Sequence, residues 1–279
     1  MAGWVERLDG AIASAHSLLC VGLDPDPERM AVPDAFEFGR GIVDATHDLV
    51  CAFKLQLAFY EALGLPGLEA MARTVGHIRA TAPGVVVIGD AKRGDIPSTA
   101  KAYARALFDV WDFDAVTVHA YLGRDSIEPF AERDDRGALI VTRTSNPGAR
   151  DLQDSKVTNG GQAVPLYERV AELAESCNAR RNVGLVVGAT YPDELATLRA
   201  QHRAMPILVP GVGAQGGGAG EAARLGAAAG GGRVMVSASR SVLYASADPA
   251  SYAEAARVAA LDLRDEIRTA LAVRQSTDT

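Results

Sequence analysis

Asp90, Lys92 and Asp95 stand in the spacing D-x-K-x-x-D, directly after an apolar run over 84–89. A second lysine, Lys54, interrupts another apolar run, Ala52-Phe53-Lys54-Leu55. An ammonium is costly to desolvate, so a lysine inside an apolar strand calls for a partner. Carboxylates supply one: burial alone depresses a lysine pKa, and flanking negative charge opposes that shift. A lysine kept protonated in a closed site suits general acid chemistry and stabilises negative charge as it forms. On a continuing strand, Asp90 and Lys92 would share the face begun by Val86 and Ile88. Asp95 falls outside that period and needs a turn, which Gly94 can supply. The bland alternatives are an edge lysine reaching for water and an ordinary charged loop. The bare triplet arises by chance in about one such chain in twenty, so its place after an apolar strand carries the weight.

A second constellation lies further on. Gly211-Val212-Gly213-Ala214-Gln215-Gly216-Gly217-Gly218 follows one apolar run, and Arg240 follows the next. Glycines let backbone N–H groups approach an anion, and an arginine grips phosphate with two donors. The alternative is a flexible linker and a surface arginine. His119 has no cysteine or carboxylate at ligand spacing and reads as structural.

The elements that must position these residues alternate regularly. Short, mostly apolar runs over 17–22, 51–57, 84–89, 115–120, 137–142, 183–188, 206–210 and 233–238 read as eight strands. Helical patterns fall between them, as at 68–81, 99–108, 166–177 and 219–225. Eight strands alternating with helices predict a (β/α)8 barrel, whose chemistry sits where strands end and βα loops begin. A doubly wound sheet is disfavoured, because Gly22-Leu23-Asp24-Pro25 after the first strand is no dinucleotide loop. Residues 3–15 place Trp4, Leu8 and Ile12 on one stripe, a helix that could cap one end of the barrel. One domain over 1–274 is expected, with a polar excursion at 151–165 after the fifth strand and a frayed tail at 275–279.

Composition narrows the function. The 279 residues carry a net charge of −7 with no basic block, which argues against nucleic-acid binding. Three well-separated cysteines, Cys20, Cys51 and Cys177, form no CxxC pair and read as thiols of a reducing compartment. No signal peptide or run of 18 apolar residues is visible, so a soluble cytoplasmic protein is expected, with no membrane partner.

The stretch Val87-Ile88-Gly89-Asp90-Ala91-Lys92-Arg93-Gly94-Asp95-Ile96-Pro97-Ser98-Thr99-Ala100 resembles the active-site signature of the orotidine 5'-phosphate decarboxylases. The resemblance extends from Gly22-Leu23-Asp24-Pro25 through Phe53-Lys54 and Thr144-Ser145-Asn146-Pro147-Gly148 to Pro210-Gly211-Val212-Gly213-Ala214-Gln215. The excursion and the Gln-Gly-Gly sequence are similar to the longer bacterial subgroup. It implies a cytoplasmic homodimeric TIM barrel that converts orotidine 5'-monophosphate to uridine 5'-monophosphate and CO2. That reaction is the last step of de novo pyrimidine nucleotide biosynthesis, run without metal or cofactor. By the same resemblance, Lys54, Asp90 and Lys92 come from one subunit and Asp95 from its partner. Lys92 delivers the proton, and Asp24 and the partner's Thr99 meet the ribose. Ser145 meets the base, and Gln215 and Arg240 the phosphate.

Two other readings stay open at this point. One is a magnesium-dependent sugar-phosphate decarboxylase on a related barrel with the same triplet. The other is a catalytically silent phosphate-binding barrel. Lys54, Ile96-Pro97-Ser98-Thr99 and Ser145-Asn146-Pro147 favour the nucleotide.

Overall fold

Eight parallel strands close on themselves in this computed structural model, which describes residues 3–213 and 216–277. They are β1 (Leu19–Leu23), β2 (Ala52–Gln56), β3 (Val86–Arg93), β4 (Ala115–Val118) and β5 (Gly137–Arg143), then β8 (Val183–Val187), β9 (Ile207–Pro210) and β10 (Val234–Ala238). β6 (Lys156–Asn159) and β7 (Gln162–Pro165) form a separate antiparallel pair. Around the barrel the order is β1, β10, β9, β8, β5, β4, β3, β2. The barrel strands are mostly apolar because helices cover one face and the interior fills the other. Each apolar run of the sequence falls on one strand. β3 alone runs markedly further than its apolar run, through Asp90 to Arg93.

The interior is packed. Val86, Ile88, Ala115, Leu139, Val186, Leu208 and Met235 point inward and form one cluster with Trp4, Leu8 and Ala11. The helix Trp4–Ala15 therefore plugs the foot of the barrel, as its apolar stripe predicts, with Ile12 partly buried at its edge. A larger cluster fills the layer between strands and outer helices.

The excursion is ordered. Residues Arg150–Gln153 form a helical turn, and β6 and β7 join through Gly160-Gly161. Both glycines have positive φ, 55° and 85°, as a two-residue hairpin turn of this hand requires. Helix Pro97–Arg105 begins two residues before the sequence suggests and passes into a wider turn over Ala106–Val110. The last helix, Tyr252–Thr277, runs on past the point where the tail was expected to begin. Nothing from Ala270 to Ser276 breaks a helix, whereas alanine, leucine, arginine and glutamine extend one. Asp278 and Thr279 lie outside the described residues. Cys20 and Cys51 are buried free thiols, and Cys177 is a half-buried one. Among the described residues no helix is long and apolar enough to cross a membrane.

Candidate active site

The C-terminal ends of the strands open into a cavity of about 720 Å³. Asp24, Lys54, Asp90, Lys92, Ser145 and Arg240 all line it. The register explains why the charges meet. Lys54 of β2 pairs with Ile88 of β3, and Gln56 with Asp90, so inward positions on adjacent strands stack Lys54 one layer below Asp90. Lys54 is buried, not an edge residue, with Nζ 3.1 Å from Asp90 Oδ2 and 3.6 Å from Asp24 Oδ1.

Asp90 is the hub. Its Oδ1 accepts from Lys92 Nζ at 2.5 Å and from the Thr117 hydroxyl at 2.8 Å. Its Oδ2 accepts from Gln56 Nε2 at 2.8 Å and faces Lys54. Burial by itself would raise the pKa of this carboxyl. The charges of Lys54 and Lys92, with the hydrogen bonds from Lys92 and Thr117, outweigh burial and hold Asp90 well below the usual carboxylate range. Burial likewise pulls Lys54 down, but Asp24 and Asp90 outweigh it and hold the ammonium above its ordinary value. Below them, burial pushes the Cys20 thiol up to about 12, so it stays neutral near the charges. The network is internally compensated, and breaking such a buried pair costs about 3–5 kcal/mol.

Lys92 reaches Asp90 by a route that strand alternation does not describe. Its φ is +47°, and the β3–β4 register shifts between Gly89 and Arg93. A left-handed lysine costs on the order of 1–3 kcal/mol and persists only where its surroundings hold it. Here its backbone N–H donates to Thr117 Oγ1 at 2.9 Å. The turn thus belongs to Lys92, not to Gly94. Gly94 serves close packing, since a Cβ there would lie 2.5 Å from the His119 carbonyl oxygen.

Asp95 and Thr99 are half-buried but do not line the cavity of their own chain. Asp95 Oδ1 accepts from the Ile96 N–H at 2.7 Å. His119 requires correction too. It stands at the cavity wall with its surface open, and partial desolvation there, followed by the Lys92 charge, lowers its pKa. Chain spacing carried no hint of that, because its neighbours come from another strand.

On the opposite side, Gly211, Val212, Ser239 and Arg240 approach one another. Arg240 is exposed and makes no ion pair among the described residues. Gly213 and Gly216 have positive φ, and Gly213 N–H donates to the Gly217 carbonyl. Gln215 lies outside the described residues. The following helix, Ala219–Gly226, has one first-turn amide already taken, since Gly220 N–H donates to Glu266 Oε1 at 2.7 Å. Gly22 makes room here, because a Cβ on it would come 1.9 Å from Ser239 Oγ. The Tyr244 hydroxyl donates to the Asp24 carbonyl at 2.6 Å and accepts from the Asp26 N–H at 2.9 Å, fixing the loop that carries Asp24.

Arg143 at the end of β5 escaped the sequence. It is 1% exposed, lies 2.7 Å from Asp154 and 3.3 Å from Glu194, and stacks 3.8 Å over the Tyr191 ring. Gln153 clamps the next residue: its Oε1 accepts from Thr144 N–H at 3.0 Å, and its Nε2 donates to Thr144 Oγ1 at 2.7 Å. The excursion therefore folds back to hold the loop that presents Ser145 and Asn146. Gln56, Thr117 and Arg29 also escaped. Gln56 was legible two places after Lys54 on the same alternation.

The model of the orotidine 5'-phosphate decarboxylase / HUMPS family matches residues 17–256. An orotidine 5'-phosphate decarboxylase of Thermomicrobium roseum is 50% identical over 269 residues, 94% of each chain. Among solved structures, Leishmania donovani OMP decarboxylase has a TM-score of 0.83 and 36% identity, covering 96% of this chain and 98% of its own. Leishmania donovani UMP synthase has a TM-score of 0.85 and 38% identity, covering 97% of this chain but 57% of that longer one.

Proposed function

Because this chain belongs to the orotidine 5'-phosphate decarboxylase family and decarboxylates orotidine 5'-monophosphate in pyrimidine biosynthesis, we propose that Lys54, Asp90 and Lys92 carry the chemistry. The observation behind this assignment is their unbroken contact at the cavity wall: Lys54 to Asp90 at 3.1 Å and Asp90 to Lys92 at 2.5 Å.

Breaking the bond from C6 to the carboxylate leaves its electron pair on C6, in the ring plane, with no adjacent π system to absorb it fully. A fixed ammonium beside that carbon stabilises the pair as it forms and then protonates it. Lys92 suits this role, because its side chain is 40% exposed toward the cavity while that of Lys54 is 5% exposed. Asp90 holds both ammonium groups and presents negative charge toward the departing carboxylate. In this reading Asp24, which lines the cavity, takes a ribose hydroxyl, Ser145 meets the base, and Arg240, with Gln215, takes the phosphate. Phosphate binding far from C6 supplies remote binding energy that assembles the site.

Asp95 and Thr99 fit a different role. They miss their own cavity, and the loops beside them carry exposed Ile96, Tyr121 and Leu122. An apolar rim of this kind supports a homodimer in which each subunit lends Asp95 and Thr99 to its partner's site. The reduced cysteines fit work in the cytoplasm.

The test is Lys92→Ala, assayed by loss of orotidine 5'-monophosphate absorbance with purified protein in excess chelator. The variant should fold and bind uridine 5'-monophosphate yet lose essentially all turnover. Each tenfold of lost rate corresponds to about 1.4 kcal/mol of transition-state stabilisation. Turnover within about tenfold of the parent overturns the assignment.

A further inference from the structure

We propose that Thr117 is the positioning residue that sets Lys92 against Asp90, an inference that rests on the assignment of those two residues above. Between the pairs Gly89–Val116 and Arg93–Val118, β3 has Asp90, Ala91 and Lys92 where β4 has Thr117 alone. The ladder is interrupted there, and Lys92 turns left-handed. Backbone groups freed by such a bulge need other partners. The Thr117 hydroxyl supplies one, accepting from the Lys92 N–H at 2.9 Å.

The same oxygen donates to Asp90 Oδ1 at 2.8 Å. These directions are forced. An amide N–H can only donate, so the hydroxyl accepts there and its single proton is left for the carboxylate. One side chain, 1% exposed on a neighbouring strand, thereby fixes the main chain of Lys92 and the oxygen to which its ammonium is bonded. Thr117 sits behind Asp90 and does not line the cavity, so it acts through the other two residues. A hydroxyl at this point converts a backbone irregularity into a defined Lys–Asp geometry.

Thr117→Val keeps the shape and removes both hydrogen bonds, while Thr117→Ser keeps the hydroxyl. In the intact enzyme, Thr117→Val should lower kcat about 10- to 100-fold, the loss a small misplacement of a catalytic group produces. KM and affinity for uridine 5'-monophosphate should stay within about threefold, and Thr117→Ser should return kcat to within about threefold of the parent. Thr117→Ala serves in its place if the valine variant does not fold. Lys92→Ala, run in parallel, separates the two claims. Full activity in Thr117→Val beside a dead Lys92→Ala overturns the role of Thr117 alone. Full activity in both overturns the assignment of Lys92 and this inference with it. Equal losses of kcat and product affinity that serine does not restore would make Thr117 an ordinary core residue and overturn the proposal.

Discussion

Trp4 lies against Gly137 across the foot of the barrel, so close that a Cβ on Gly137 would come 2.5 Å from the indole ring. The main chain adds a second tie, with Trp4 N–H donating to the Asp134 carbonyl at 3.0 Å. Gly137→Ala should therefore displace the plug and destabilise the fold by about 1–3 kcal/mol, the usual range for overpacking. The cavity lies at the other end of the strands, so kcat should hold. Urea unfolding beside a turnover assay checks both, and an unchanged midpoint would show that the plug tolerates the methyl group.

Asp90→Asn should change the pH dependence of stability on the alkaline side. The folded-state pKa of Lys54 is raised, so its pairing stabilises the fold fully below the unfolded lysine value. That contribution is lost as pH rises through the folded value. Removing the Asp90 charge lowers the folded value and leaves Asp24, at 3.6 Å, to hold the ammonium. The alkaline loss should then be smaller and finish at lower pH, on top of about 3–5 kcal/mol lost at neutrality. Denaturant midpoints taken at intervals from neutral to alkaline pH should draw together between variant and parent. Parallel curves would mean that Lys54 does not depend on Asp90.

Arg240→Ala should weaken the phosphorylated substrate about 10- to 100-fold, in keeping with the loss of charged hydrogen bonds. The phosphate-free nucleoside should be nearly unaffected. Deleting the arginine, the phosphate and then both gives the coupling directly. Equal losses with and without phosphate would show that Arg240 acts elsewhere.

The shared-site proposal is open to a subunit-mixing experiment. Asp95→Asn and Lys92→Ala proteins, each nearly inactive, are unfolded together and refolded as an equal mixture. With random pairing roughly half the dimers are hybrids, each with one intact site of two, so about a quarter of parental activity should return. No recovery despite verified hybrids would assign Asp95 to its own subunit.

The barrel was legible because its signal is local. An apolar run announces a strand, and all eight runs became strands of one closed sheet. Lys54, Asp90 and Lys92 were legible because charge on an apolar strand is costly and needs a reason. The geometry at Lys92 was not, since alternation assumes an unbroken ladder and the φ of +47° depends on Thr117 from the neighbouring strand. A threonine among Ala115, Val116 and Val118 looks like ordinary strand material. Arg143 was hidden for the same reason: its partners Asp154 and Glu194 lie 11 and 51 residues away in the chain. Asp95 was legible as part of the charged triplet, but its place across a subunit boundary and the naming of Thr99 came through resemblance alone, and nothing in their spacing aims them at a cavity.

The four donors around Asp90 have a bearing on where protons come from during turnover. Each oxygen of that carboxylate already faces two donors, and its charge is strongly favoured, so it has neither a free site nor the basicity to relay a proton. With Lys92 as the donor, the hydrogen it gives up must be replaced across its own exposed edge, directly from bulk water. In heavy water the hydrogen newly attached to C6 should therefore carry the solvent's isotope from the first cycle, with no slowly exchanging internal reservoir to dilute it.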